Sequence, residues 1–156
     1  MAYPEIRPVD PGEPGVGALI LAQLEYGRAV SPPEDAHAFE PEAFAGPGVA
    51  LFAAREDEAV LAIGALVRLD DEHGELKGMH TAAAARGRGL GRAMLARLLD
   101  EERGRGYRRV SLETGAMDAF APARALYEGA GFTPCAPFGD YVASENSVYL
   151  TLPLIG

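Results

Sequence analysis

The chain contains 156 residues, of which 48% are hydrophobic and 24% are charged, and its formal net charge is −9. This length is close to that of one domain, so we expect residues 1–156 to form a single domain. The chain lacks the basic footprint of general nucleic-acid binding, its start has no basic region followed by an apolar core, and no apolar run is long enough to span a bilayer. We therefore expect a cytoplasmic protein whose partners are neither nucleic acids nor membranes.

Hydrophobic spacing predicts strands and helices in alternating groups along the chain. Strands are predicted over residues 3–9, 49–55, 59–69, 75–81, 107–113, 132–136 and 147–152. Helices are predicted over residues 16–26, shortly after Ser31, from Leu90 onward and over residues 121–130. This order predicts an α/β fold in which helices flank a mixed central sheet.

A loop rich in arginine and glycine joins the predicted strand 75–81 to the helix that begins at Leu90. It reads Arg86-Gly87-Arg88-Gly89-Leu90-Gly91-Arg92. Glycines let the backbone approach a ligand closely, N–H groups at a helix start attract anions, and arginines add charge-assisted hydrogen bonds. The spacing fits neither the P-loop, which has lysine and a hydroxyl residue after its last glycine, nor the dinucleotide fingerprint Gly-x-Gly-x-x-Gly. The loop is a candidate cradle for a phosphorylated small ligand.

Residues 86–109 contain eight arginines and three acidic residues, which makes a confined positive patch in an acidic chain. Such a patch suits a phosphorylated ligand. The alternative is a solvated helix face held by ion pairs such as Arg97 with Glu101, four residues apart. Both interpretations hold together if only the first two or three arginines contact phosphate.

Two motifs in the correct order resemble the GCN5-related N-acetyltransferase (GNAT) superfamily. Arg86, Gly89 and Gly91 match its coenzyme A pyrophosphate motif Gln/Arg-x-x-Gly-x-Gly/Ala, and residues 126–132 resemble its Leu-Tyr-x-x-x-Gly-Phe ending. The resemblance implies a mostly antiparallel sheet with splayed strands at the coenzyme site and acetyl-CoA as cosubstrate. The implied coenzyme-binding residues are Met79, His80, Thr81, Arg86, Gly87, Arg88, Gly89, Leu90, Gly91 and Arg92.

The resemblance also implies candidates for proton transfer during acetylation. Tyr127 matches the family tyrosine near the coenzyme sulfur, where a phenol can protonate the departing thiolate; the alternative is a tyrosine of the core. Glu75 stands where several family members carry a catalytic glutamate, and the alternative is a strand ion pair with Lys77. Glu113, near the end of the next strand, is a second candidate base.

Strand alternation predicts that Glu75, Lys77 and Met79 share one face of the sheet and that His80 lies on the opposite face. His80 has a suitable unperturbed pKa for a base but is placed away from Glu75 by this pattern. His37 and His73 have no partner pattern, and a single cysteine excludes a cysteine-based metal cluster, so we expect no metal site.

A group of small bacterial acetyltransferases within the superfamily shares three further segments with the chain, namely Glu75-Leu76-Lys77, Leu112-Glu113-Thr114-Gly115 and Pro137-Phe138-Gly139-Asp140-Tyr141. This resemblance implies that Lys77, Asp140 and Tyr141 contact the acceptor, although an ordinary loop with a packed aromatic residue is the alternative for the last segment. The chain departs from the group at Gly78, where an arginine is common, and at Phe120, where a polar residue is common.

The sequence therefore predicts an acetyl-CoA-dependent N-acetyltransferase that acts on the primary amine of a small molecule by direct attack in a ternary complex. One rival is a noncatalytic acyl-CoA-binding sensor, which would keep the glycine loop and need neither Glu75 nor Tyr127. A second rival is a protein or peptide N-acetyltransferase. The acceptor and the oligomeric state stay open at this point, although homodimers are common among such domains.

Overall fold

The computed structural model describes residues 4–30 and 41–154, which form a seven-stranded sheet in the order β1-β2-β3-β4-β5-β7-β6. The strands are β1 (Glu5–Pro8), β2 (Val49–Glu56), β3 (Ala59–Arg68), β4 (His73–Thr81), β5 (Arg109–Gly115), β6 (Thr133–Pro134) and β7 (Ser147–Pro153). The helices are α1 (Val16–Val30), α2 (Leu90–Gly104) and α3 (Ala121–Gly129), and 3-10 turns cover Pro41–Ala45, Ala83–Ala85 and Asp118–Phe120. The predicted mixed α/β fold is confirmed, and the helix predicted after Ser31 lies outside the described residues.

The strands β4 and β5 run parallel and separate from each other partway along their length. They pair only over residues 73–76 and 109–112. Beyond this point β4 stays paired with β3, and β5 stays paired with β7 as far as Gly115, both antiparallel. A wedge therefore opens between the two strands toward their carboxyl ends, as the predicted splay required.

The two faces of the sheet carry separate apolar cores because side chains alternate along the strands. Phe52, Ala62 and Leu66 point into a large cluster beneath α2 and α3. Leu51, Ala53, Ile63 and Ala65 belong to a second cluster beneath α1, with Val16, Leu19, Ile20 and Phe44. The sheet is thus the middle layer, and any site in the wedge lies between α1 on one side and α2 with α3 on the other.

A bulge at Gly78 interrupts the regular alternation of β4. The φ angle of Gly78 is +67°, and the pairing with β3 shifts register between Ile63 and Ala65. A Cβ atom at this position would also lie 2.8 Å from the ring of Phe44. Both the backbone conformation and the close ring favour glycine at this position.

The bulge reverses the faces predicted for the end of β4. Met79 packs against the same core as Leu76, three residues earlier, whereas the His80 ring lies near Tyr26 of α1 with 6.2 Å between ring centroids. Because Glu75 precedes Leu76 directly, it lies on the face opposite Leu76 and Met79. The prediction that Glu75 shares a face with Met79 and lies opposite His80 is therefore wrong, because an extra strand residue exchanges the two faces.

Glu102 of α2 is a buried acidic residue without a hydrogen-bond partner for its carboxylate among the described residues. It lies directly over Gly74 of β4, where a Cβ atom would collide with its carboxylate oxygens. Burial raises the pKa of Glu102 to about 8, and the positive charge of Arg105 opposes this rise only in part. The side chain is therefore mainly protonated at neutral pH.

We expect Glu102→Leu to remove a pH-dependent loss of stability. A carboxyl whose pKa is raised on folding stabilises the folded state below the unfolded value of 4.5, and this contribution is lost as the pH rises toward 8. The free energy of unfolding of the variant should exceed that of the wild type by about 1–3 kcal/mol above pH 8, with the difference shrinking at acidic pH. Urea titrations at several pH values measure this difference.

The neighbouring Glu101 provides the control for this measurement. It accepts hydrogen bonds from Arg97 at 2.9 Å and Arg105 at 3.0 Å, and these contacts lower the pKa of Glu101. Glu101→Gln should therefore leave the dependence of the free energy of unfolding on pH unchanged between neutral and alkaline pH. A Glu102→Leu variant with the same slope as the wild type would contradict the assignment of a neutral buried carboxyl.

Candidate coenzyme and acceptor site

A cavity of about 350 Å³ lies at the wide end of the wedge. Its walls come from the end of β4, the neighbouring part of β3, the first turn of α2, α3 with the turn before it, and the second half of α1. The lining residues are Gln23, Tyr26, Gly27, Ala62, Ile63, Met79, His80, Thr81, Arg86, Gly91, Met94, Ala119, Phe120, Pro122, Ala123, Leu126 and Tyr127. The cavity therefore brings residues from both faces of the sheet into one site. Its volume is typical of pockets that bind small ligands.

The glycine loop delivers the start of α2 to the mouth of this cavity. Gly89 is the N-cap residue of α2 with a φ of +79°, and no side chain caps the N–H groups of the first turn. Leu90 buries its side chain in the core, so only its backbone can contact a ligand. The loop thus presents uncapped N–H groups and the positive end of the helix dipole, which together bind anions such as phosphate.

Most arginines of the positive patch are engaged elsewhere on the protein. Arg88 donates to Glu56 at 2.8 Å, Arg97 and Arg105 both contact Glu101, and Arg109 donates to Thr151 at 2.9 Å. Arg92 is exposed in the first turn of α2, and Arg86 lines the cavity with its guanidinium 6.0 Å from the centre of the Tyr26 ring. The ion-paired helix face therefore accounts for Arg97 and Arg105, Arg86 lines the cavity, and contact of the first arginines with phosphate stays a prediction.

Tyr127 of α3 lines the cavity and also packs in the main core. Its ring contacts Phe132 edge-on, with centroids 5.8 Å apart, and the residue is 6% exposed. Burial, and to a lesser extent the negative charge of Glu113, raises the pKa of Tyr127 to about 12. The hydroxyl thus stays protonated at neutral pH, which suits a proton donor.

The α1 side of the cavity forms a wall of aromatic and polar side chains. The Tyr26 ring contacts Phe120 edge-on at 5.9 Å and its hydroxyl donates to the carbonyl of Ala119 at 3.2 Å. His80 packs beside Tyr26, and burial together with the charge of Arg86 lowers the pKa of His80. The imidazole is therefore neutral at neutral pH and has one nitrogen that can accept a hydrogen bond.

A second polar cluster joins β4 to the loop between β6 and β7, and its residues are not part of the cavity lining. Lys77 donates to the hydroxyl of Tyr141 at 2.6 Å, that hydroxyl donates to Glu75 at 2.6 Å, and the Lys77 ammonium lies 3.8 Å from Glu75. Desolvation by burial lowers the pKa of Lys77, while the charges of Glu75 and Glu113 oppose that effect. Burial and the same two carboxylates raise the pKa of Tyr141 far above its usual range.

The loop between β6 and β7 holds Tyr141 in this cluster through aromatic contacts. Phe138 lies edge-on to Tyr141 at 5.2 Å and to Tyr149 at 6.1 Å. Asp140, by contrast, is exposed on the loop surface.

Within residues 4–30 and 41–154, no group of His, Cys, Asp and Glu side chains has an arrangement that could hold a metal ion. None of the helices in these residues is long and apolar enough to cross a membrane.

The sequence matches a family described as "Acetyltransferase (GNAT) family" over residues 18–132. The chain belongs to this GNAT family. The uncharacterized N-acetyltransferase YsnE of Bacillus subtilis strain 168 is 42% identical to it over 139 residues, which cover 89% of this chain and 92% of the relative. An IAA acetyltransferase of Azospirillum brasilense is 35% identical, covering 92% of this chain and 94% of the relative.

The fold also matches solved GNAT structures. A GNAT family acetyltransferase from Elizabethkingia anophelis, crystallised with acetyl-CoA bound, superposes with a TM-score of 0.72 at 16% identity and covers 98% of this chain and 99% of that chain. This likeness concerns the fold. With the family match and the relatives named N-acetyltransferases, the predictions of a GNAT protein and of an acyltransferase enzyme are confirmed.

The structure gathers only part of the predicted GNAT site into the cavity. Residues 79–81, Arg86, Gly91 and Tyr127 line it, whereas Glu75, Lys77 and Tyr141 form the adjacent cluster. The remaining loop residues from 87 to 92 do not line it. Their individual roles stay predictions.

Sequence reasoning missed the wall contributed by α1. Gln23 and Tyr26 stand three residues apart on that helix and both line the cavity. The only signal in the sequence is a pair of larger polar residues in an otherwise apolar stretch of helix, which is also what a half-exposed helix shows. Phe120, noted above as a departure from related sequences, is explained by its edge-on contact with Tyr26.

Proposed function

We propose that this GNAT enzyme is a cytoplasmic, acetyl-CoA-dependent N-acetyltransferase that transfers the acetyl group to the primary amine of a small molecule by direct attack in a ternary complex. The observation that carries the proposal is the single cavity that joins the end of β4, the uncapped start of α2 and the hydroxyl-bearing ring of Tyr127. These are the parts that hold a coenzyme, orient its acyl group and protonate its sulfur.

The residues at the mouth of the cavity fit coenzyme A. The N–H groups that follow Gly89 and the guanidinium of Arg86 supply the positive potential that a pyrophosphate needs. The apolar part of the cavity, including Met94 and Leu126, suits the pantetheine arm. The coenzyme supplies an acetyl group already activated as a thioester, so the protein needs no covalent intermediate of its own.

Proton handling is divided in this proposal between Tyr127 and the cluster of Glu75, Glu113, Lys77 and Tyr141. Tyr127 holds a proton at its hydroxyl oxygen for the departing sulfur. The negative charge of Glu113 acts on both Tyr127 in the cavity and Lys77 in the cluster, raising the pKa of the first and opposing the fall of the pKa of the second. The two carboxylates take up the proton that the attacking nitrogen loses as the amide bond forms.

An assay of acetyl-CoA-dependent thiol release over alkyl amines, arylamines, amino acids, polyamines, aminoglycosides and peptides tests the function. The panel also includes IAA, because one relative is named an IAA acetyltransferase. Calorimetry with coenzyme A runs in parallel. We expect coenzyme binding together with thiol release that depends on a small amine. Binding without release for any acceptor would favour the noncatalytic sensor, and release with peptides alone would favour a peptide acetyltransferase.

Glu75→Gln tests the polar cluster. The substitution keeps the shape and removes a carboxylate, and we expect kcat/KM to fall by about tenfold or more. Tyr141→Phe removes the hydroxyl that bridges Glu75 and Lys77 and should give a similar loss. The double variant should be little worse than either single variant, because both changes disable one unit.

Glu72→Gln is the control for this series. Glu72 lies in the turn before β4, is exposed and pairs only loosely with Arg108 at 3.7 Å. Full activity in Glu75→Gln, with Glu72→Gln also active, would show that Glu75 is a structural ion-pair residue and would leave Glu113 as the proton acceptor.

A further inference from the structure

Tyr141 reaches its cluster from a loop, whereas its two partners lie on a strand. Glu75 and Lys77 belong to β4, but residues 135–146 between β6 and β7 contain no helix or strand. Both bonds of the Tyr141 hydroxyl, from Lys77 and to Glu75, measure 2.6 Å. Hydrogen bonds weaken steeply when their geometry is lost, and ordering an irregular loop costs conformational entropy. The contacts that fix the loop therefore decide whether the cluster forms.

Tyr149 of β7 holds this loop at the residue that follows Tyr141. Its hydroxyl donates to the backbone carbonyl of Val142 at 2.9 Å, and its ring centroid lies 5.6 Å from that of Tyr141. Tyr149 is 6% exposed and pairs with Glu113 of β5, so it projects from a buried part of the sheet. The Val142 side chain is 78% exposed and adds little packing. The Tyr149 hydroxyl is thus a direct link between the sheet and the backbone beside Tyr141.

Phe138 of the same loop adds a second support. Its ring centroid lies 5.2 Å from that of Tyr141, 6.1 Å from that of Tyr149 and 6.0 Å from that of His73 at the start of β4. The Nε2 atom of His73 is 2.7 Å from the hydroxyl of Ser111, which is buried on β5. Phe138 therefore packs against side chains that β4 and β7 hold in place. These ring contacts do not involve the Tyr149 hydroxyl and would remain without it.

We propose that Tyr149 is a positioning residue for the transfer reaction, because its hydroxyl fixes the loop that brings Tyr141 between Glu75 and Lys77. This inference rests on the proposed function, in which that cluster takes up the proton lost by the attacking nitrogen. Tyr149 does not line the cavity and needs no contact with substrate or coenzyme. It acts through Tyr141, so its effect on the reaction vanishes when the Tyr141 hydroxyl is absent.

Tyr149→Phe removes this hydroxyl and keeps the ring. One net hydrogen bond changes an equilibrium by about threefold to tenfold, and kcat/KM for thiol release from acetyl-CoA should fall by that factor. The acceptor is the amine of the panel that reacts fastest with the wild type. Calorimetry with coenzyme A should give wild-type affinity, because Tyr149 lies outside the cavity. In a Tyr141→Phe background, the same substitution should cause no further loss of kcat/KM.

Lys77 offers a readout that does not depend on activity, because it is the only lysine in the chain. Its side chain is 12% exposed and its ammonium donates to Tyr141. Acetic anhydride labels lysine side chains, and mass spectrometry of the peptide that contains Lys77 measures the rate. An ammonium that is uncovered when the loop opens is labelled in proportion to the open population. The rate should therefore rise by about threefold to tenfold in Tyr149→Phe.

Tyr107→Phe is the matched control for both measurements. It also removes the hydroxyl of a largely buried tyrosine, and Tyr107 neither lines the cavity nor belongs to the loop between β6 and β7. Its kcat/KM and the labelling rate of its Lys77 should equal those of the wild type.

The positioning role and the proposed function fail in different ways. Wild-type kcat/KM in Tyr149→Phe, an equal loss with and without the Tyr141 hydroxyl, or an unchanged labelling rate of Lys77 would overturn the inference while coenzyme binding and amine acetylation stand. Absence of coenzyme binding in the folded wild type would instead overturn the proposed function and the part that Tyr149 plays in it. Faster labelling of Lys77 in Tyr149→Phe would still show, in that case, that the hydroxyl holds Tyr141 in place.

Discussion

Gly91→Glu should abolish coenzyme A binding, with a loss of affinity of at least about 100-fold. Gly91 lies in the first turn of α2 and lines the cavity. A Cβ atom there would meet only Leu126, at an ordinary contact distance of 3.5 Å, so the fold has room for a side chain. A carboxylate at a helix start is itself stabilised by the helix dipole. It would therefore occupy the place of a phosphate and repel the coenzyme without unfolding the helix.

The same substitution at the other end of the helix is the control. A Cβ atom on Gly104 meets no atom within 4 Å, and Gly104→Glu changes the net charge by the same amount. Calorimetry with coenzyme A should give wild-type affinity for Gly104→Glu, and nearly wild-type affinity for Gly91→Ala, which adds only a methyl group. Wild-type affinity in a folded Gly91→Glu variant would refute the location of the phosphate site. Gly89 is less suited to this test because its φ of +79° strains any other residue.

The elements with regular hydrophobic spacing were predictable to within a few residues. The strand predicted over residues 49–55 is observed as β2, Val49–Glu56, and the helix predicted over residues 121–130 as α3, Ala121–Gly129. Each has a spacing that identifies its buried face without reference to the rest of the fold. The splayed strands followed from the family resemblance, because pairing between distant strands is not written in any local pattern.

Alternation alone could not predict on which face of the sheet each side chain at the end of β4 lies. A bulge moves every later side chain to the other face, and the only local sign of it is a glycine inside a strand. Gly78 was visible as a departure from related sequences, but its reason is the ring of Phe44, more than thirty residues earlier. The consequence for the site is that Met79 and His80 line the cavity from opposite faces.

Contacts between side chains distant in sequence, and the protonation of buried groups, also depend on the tertiary structure. The alternative pairing of Arg97 with Glu101 was visible from their spacing on one helix, and it forms at 2.9 Å. The contact of Glu75 with Tyr141 joins residues 66 positions apart, and Glu102 is buried because α2 packs on Gly74. Neither feature has a sequence period, so only the packed fold reveals them.

Tyr127→Phe should lower kcat by about 10-fold to 1000-fold while coenzyme affinity stays nearly unchanged. The substitution removes one hydroxyl and keeps the ring that packs against Phe132, so the core around α3 should survive. Because burial and Glu113 raise the pKa of Tyr127 to about 12, the hydroxyl carries its proton across the neutral range. The ratio of wild-type to variant kcat should therefore be constant from about pH 6 to about pH 9, unlike that of a group that titrates there.

Tyr107→Phe is the matched control for this last measurement. Tyr107 is 8% exposed and belongs to the same core cluster, but it follows the far end of α2 and does not line the cavity. Loss of its hydroxyl should leave kcat unchanged. If Tyr127→Phe also keeps wild-type turnover, Tyr127 is a core residue, and protonation of the departing sulfur then requires no side chain at this position. If Tyr127→Phe loses turnover and coenzyme affinity together, the hydroxyl serves binding, because a pure proton donor acts only on the step in which the sulfur departs.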